Sequence, residues 1–97
     1  MIVYKAMYKF LPNGAVHAEV LDFPGAITCG KNLDEARKLL SGALVDMAET
    51  NLLLGEALPL PDAALTDAES DLEEPIYLLL NASSSVRTMP QAEYEAA

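Results

Sequence analysis

The sequence predicts an α+β fold, a small antiparallel sheet with one packed helix in the order β-β-β-α-β. Three observations carry that prediction. Residues 2–10 alternate at period two and run through a turn signal into a second alternating stretch. Between Asn32 and Gly55, apolar residues recur at helical spacing. Residues 76–80 form a continuous apolar run of strand length. A chain of 97 residues with 52% apolar and 22% charged residues has the composition of one ordered globular domain.

In the first strand, Ile2, Tyr4, Ala6, Tyr8 and Phe10 share one face, and Lys5 and Lys9 lie on the other. Pro12-Asn13-Gly14 supplies a turn, because proline presets φ while asparagine and glycine tolerate positive φ. Residues 15–21 return with Val16, Ala18 and Val20 facing inward. Pairing Leu11 with Ala15 sets Phe10 opposite Val16, Tyr8 opposite Ala18 and Lys9 opposite His17, so the apolar sets coincide. Pro24-Gly25 breaks the chain and residues 26–30 make a short third strand.

The helix begins at Asn32, which with Glu35 matches a capping box, and Asp34 and Glu35 suit the positive end of the helix dipole. Leu33, Ala36, Leu40, Ala43, Leu44 and Met47 form its predicted buried stripe. Gly55 ends it, and Pro59 and Pro61 prevent its resumption. Residues 62–74 are expected to be an acidic loop within a domain of residues 1–82, and residues 83–97 a polar, flexible tail.

The formal net charge is −9, of which residues 1–61 carry −2 and residues 62–97 carry −7. Phosphate backbones bind proteins through Lys and Arg, so this acidic protein is not expected to bind nucleic acid by itself. A basic protein partner suits the charge better. The single cysteine, Cys29, makes neither an internal disulfide nor a cysteine-rich zinc site, which fits a reducing cytosol. No apolar stretch has signal-peptide or membrane-spanning length, so a cytoplasmic protein without membrane contact is expected.

The order of these signals carries a resemblance. The tyrosine-rich first strand and hairpin lead to Asp22-Phe23-Pro24-Gly25-Ala26-Ile27-Thr28-Cys29-Gly30. The acid-capped Asn32-Leu33-Asp34-Glu35-Ala36 and the exit Leu58-Pro59-Leu60-Pro61 follow. Over residues 2–80 the chain resembles the HicB-type antitoxin family of toxin–antitoxin systems. The resemblance implies a partial ribonuclease-H-like fold and a homo-oligomer. It also implies binding and neutralisation of a small basic, mRNA-cleaving HicA-type toxin. Only seventeen residues follow Leu80, so the expected form is a solitary one without the family's C-terminal DNA-binding segment. A solitary oligomeric scaffold or regulator with no toxin partner is the alternative.

Candidate chemistry is sparse. Asp22 reads as a turn residue rather than a metal-binding carboxylate, because two-metal catalysis needs several converging acids. His17 lies on the outer face beside Lys9 and Glu19, with no second metal ligand or partnered nucleophile. Cys29, sharing a strand face with Ile27, is expected to be a small buried residue. Gly25 and Gly30 lack the spacing and the Lys-Ser/Thr of a phosphate loop. No enzyme activity, cofactor or metal is expected. The candidate partner-binding residues are the acids Asp62, Asp67, Glu69, Asp71, Glu73 and Glu74, a charged arm suited to a basic toxin. Val3, Met7, Leu21 and Tyr77 or Leu79 are expected to leave an apolar sheet face open to another subunit.

Overall fold

The structure is a computed structural model and describes residues 1–79. It contains β1 (Ile2–Phe10), β2 (Val16–Val20), β3 (Ile27–Gly30), α1 (Leu33–Leu53) and β4 (Leu72–Leu78). The four strands form one antiparallel sheet in the order β3-β2-β1-β4, with β1 in its interior. The tail expected over residues 83–97, and the domain boundary at residue 82, lie outside the described residues.

The hairpin has the register that the alternation predicts: Phe10 pairs with Val16, Lys9 with His17 and Tyr8 with Ala18. Its turn closes through Leu11 N–H donating to the Ala15 carbonyl at 2.8 Å, and the Asn13 side chain accepts from Ala15 N–H. Tyr4, Ala6 and Tyr8 of β1 and Val16, Ala18 and Val20 of β2 are buried against Ala36, Leu40, Leu44 and Ala48 of α1. Phe10, on the same alternation, is half exposed because it ends its strand. Phe23 reaches into this core from the loop after β2 and meets the Tyr4 ring edge-on, with centroids 5.3 Å apart.

Both helix ends follow from sequence. Asn32 Oδ1 accepts from Glu35 N–H at 2.8 Å. The Glu35 carboxylate accepts from Lys31 N–H at 2.7 Å, one residue before the capping-box partner expected. Gly55, at φ +73°, lets the chain turn back so that its own N–H bonds Leu52 O and Glu56 N–H bonds Asn51 O. The predicted stripe is shifted: Ala36, Leu40, Leu44 and Ala48 are fully buried, while Leu33, Ala43 and Met47 are only partly so. Gly30 brings β3 close beneath the first helical turn, since a Cβ there would come within 2.5 Å of the Ala36 nitrogen.

Three expectations need correction. The last strand begins at Leu72, four residues earlier than the apolar run, so Leu72, Glu73 and Glu74 belong to β4 and not to a loop. Pairing with β1 (Tyr8 with Leu72, Met7 with Glu73, Ala6 with Glu74) and partners for both carboxylates outweigh their poor strand propensity. Cys29 is exposed, because it points from a sheet edge away from the helix. Met7 is only 2% exposed although it lies on the face away from the helix, and the segment before β4 explains why.

Candidate protein-binding surface

The chain between α1 and β4 is a strap fixed to the sheet. Successive residues of β1 point to opposite faces, and the strap touches both. On the helix side, the Tyr4 hydroxyl donates to Pro59 O at 2.7 Å. On the far side, Lys5 Nζ donates to Ala63 O at 2.8 Å and Leu65 O at 2.7 Å. The strap therefore passes from one face to the other between these points and crosses the side that carries Lys5, Met7 and Lys9.

Asp22 holds the crossing in place. Beyond the pairing of Ala6 with Val20, β1 has no β2 partner, and Asp22 takes over: Oδ1 accepts from Lys5 N–H and Oδ2 from Asp62 N–H, each at 2.9 Å. A buried carboxylate bonded to two backbone donors is a structural clasp, and its two acceptor atoms are already engaged. The turn reading of Asp22 gives no hint of the contact to Asp62, forty residues later.

Each acid expected to reach a partner has an intramolecular contact. Asp62 Oδ1 accepts from Ala64 N–H and Asp67 Oδ1 from Glu69 N–H, both Asx-type turns. Glu69 lies 3.4 Å from Lys9 Nζ, and Asp71 Oδ2 accepts from Phe10 N–H at 2.7 Å. Glu73 gathers the Thr66 and Ser70 hydroxyls and Asp67 N–H. The Asp67 backbone bond, then the Ser70 and Thr66 hydroxyls, hold its carboxyl below the usual range. Glu74 forms a two-point pair with Arg37, through Nε at 2.9 Å and Nη2 at 2.8 Å, and these hydrogen bonds lower its pKa despite partial burial. The Arg37 guanidinium also sits 5.9 Å from the centre of the Tyr8 ring. Burial first, then the charge of Glu74, pushes the Tyr8 phenol up to about 12.

A cavity of about 350 Å³ lies between strap and sheet, lined by Val3, Lys5, Asp22, Pro61, Ala63 and Pro75 among others. Lys5 and Asp22 are already bonded within the chain, so neither is free to orient a polar ligand. His17 bonds Glu19 at 2.8 Å, on the outer face as expected, and lies opposite Lys9 on one side and Cys29 on the other. Among the described residues, no group of three or more His, Cys, Asp or Glu side chains could hold a metal ion. No described helix is long and apolar enough to cross a membrane.

One helix over a four-stranded antiparallel sheet, with a strap returning across the other face, defines a small α+β scaffold. No family model and no curated protein matches this chain. Among solved structures, it is similar to the crystal structure of the N-terminal domain of the Burkholderia pseudomallei antitoxin HicB. The TM-score is 0.69 at 21% identity, over 81% of this chain and 100% of that one. The two share a fold, as the order of strands, capped helix and Pro-x-Pro exit predicts.

Proposed function

We propose that this chain is a HicB-like, antitoxin-type protein-binding module that neutralises a small basic mRNA-cleaving toxin of the HicA type. The observation that carries this reading is the fold likeness over the whole HicB N-terminal domain. The net charge of −9 supports a basic partner. Asp62, Asp67, Glu69, Asp71, Glu73 and Glu74 would supply much of the attracting field. Paired acids keep part of their long-range effect while their short-range bonds hold the strap in shape. In this reading the protein works in the cytoplasm as a non-enzymatic binder, without nucleic-acid contact of its own. Co-expression with a small basic toxin of the HicA type tests it: relief of growth arrest and a salt-sensitive complex are expected. Unrelieved toxicity with no complex would refute it.

The alternative, a solitary oligomeric scaffold, draws on Val3 and Tyr77, which pair across β1 and β4 and stay exposed on the face away from the helix, and on exposed Leu79. Light scattering on the purified chain tests self-association. A dimer dissociated by Tyr77→Asp that binds no basic toxin favours the scaffold, and a monomer at all concentrations removes it.

A further inference from the structure

The middle of the strap is fastened by side chains rather than by a backbone ladder. Within residues 60–70 the backbone–backbone bonds stay inside the segment, from Leu65 N–H to Asp62 O and from Ser70 N–H to Asp67 O. Among the described residues, its polar attachments all run through four ionisable side chains. Asp22 accepts from Asp62 N–H, and Lys5 Nζ donates to Ala63 O and Leu65 O. Glu73 accepts from Asp67 N–H and from the Thr66 and Ser70 hydroxyls, and Lys9 lies 3.4 Å from Glu69. The segment adds no residue to the hydrophobic core: Leu60 is 86% exposed and Leu65 38%. The cavity of about 350 Å³ lies beneath it, so its packing on the sheet is incomplete.

The two ends are held more firmly. Before the segment, Leu58 packs against the core and Pro59 O bonds the Tyr4 hydroxyl. After it, Asp71 N–H bonds Tyr8 O at 2.8 Å and Leu72 joins the sheet. Residues 60–70 are thus a span with fixed ends and a polar attachment. Segments that bury little apolar surface open well before the fold as a whole. The fastenings are also linked. Lys5 Nζ holds two strap carbonyls and lies 3.9 Å from Glu73, which holds three more strap groups, so losing one weakens the next. What the span covers differs from the span itself. Lys5, Met7 and Lys9 lie beneath it, and Met7 is 2% exposed, whereas Val3 and Tyr77 on the same face are open.

We infer that residues 60–70 are a hinged cover that opens as one unit over an intact fold, exchanging Asp62, Asp67 and Glu69 at that face for Lys5, Met7 and Lys9. Opening adds Met7 to the apolar Val3 and Tyr77 and frees two ammonium groups. One chain then presents two chemically different faces, an acidic one when closed and a more basic, more apolar one when open.

Native-state hydrogen exchange on the full chain, with Met7 oxidation by hydrogen peroxide followed peptide by peptide, tests the cover. In the wild type, the Asp62 and Asp67 amides are expected to share one protection factor, about tenfold or more below that of Val20 N–H, which bonds Ala26 O. Met7 is expected to oxidise far more slowly than exposed Met1. Lys5→Leu removes two fastenings and should speed exchange at both strap amides, and oxidation of Met7, by about tenfold with Val20 unchanged. Strap amides as protected as Val20 would mean that the segment opens only when the whole chain unfolds, and the cover is refuted. Unequal protection at Asp62 and Asp67 would show piecemeal fraying, and Met7 oxidation as fast as that of Met1 would show that nothing is covered; either overturns the inference. So does exchange unaltered by Lys5→Leu. If Lys5→Leu also lowers protection at Val20, the wild-type amides decide alone.

Discussion

The strap and the outer side of α1 are both acidic and both lie at the surface, yet they use their charge in opposite ways. In the strap and the start of β4, the carboxylates of Asp62, Asp67, Glu69, Asp71, Glu73 and Glu74 are each bonded within the chain, to backbone N–H groups, hydroxyls, Lys9 or Arg37. On α1, Asp46 and Glu49 have no such bonds among the described residues and lie near exposed Val45 and Leu53. The density of acids in a sequence therefore identifies where a field originates and not which groups remain open to a partner. That distinction depends on what the neighbouring residues already donate.

The sharpest way to break the comparison is to truncate the two sides of the same helix. Leu44→Ala empties a fully buried position and is expected to cost about 2–5 kcal/mol in urea denaturation. Leu53→Ala is expected to change stability by no more than about 0.5 kcal/mol. Equal losses would mean that Leu53 has a packing role, and the contrast between the two positions would fall. Removing the clasp comes next: Asp22→Ala leaves the Lys5 and Asp62 N–H groups without their acceptor. A loss of about 1–3 kcal/mol is expected, with faster hydrogen exchange at both amides.

Acidity probes the start of β4 and its bonds to the strap and to α1. Glu73 and Glu74 have carboxyls lowered by the bonds they accept, so their contribution is present above the ordinary carboxylate range. It is lost as pH falls through their folded values. Glu73→Gln should flatten the acid limb of a melting-temperature profile. The smallest expected effect lies at the alkaline end. Tyr8 is raised from 10.0 to about 12, so its contribution is complete below pH 10 and lost between there and about 12. Tyr8→Phe should remove that decline.

How much of this was legible in the sequence depends on the distance between partners. The hairpin register follows from alternation and a turn within twenty residues, and the caps of α1 from single residues at fixed offsets. The strap was legible as acidic but not as anchored. Its bonds run from Lys5 to Ala63 and Leu65 and from Asp22 to Asp62, Arg37 meets Glu74 of β4, and no local pattern encodes these meetings. Glu73, Glu74 and Pro75 disfavour a strand, and the sequence could not show that β4 is an edge, where a residue without an N–H is tolerated. Cys29 was misplaced for a related reason: strand alternation assigns a face, and coverage of that face depends on the whole topology.

Pro75 has one more consequence, for how copies of this chain can meet. The outer strands β3 and β4 are where a sheet could recruit further strands from other molecules. Pro75 removes one donor from β4, and Glu73 and Glu74 place charge beside it. The β3 edge is only four residues long and is held under the first turn of α1 by the close approach at Gly30. A chain that carries several exposed leucines is thereby defended against open-ended strand addition, and its apolar side chains can serve finite, face-to-face contacts instead of fibre growth.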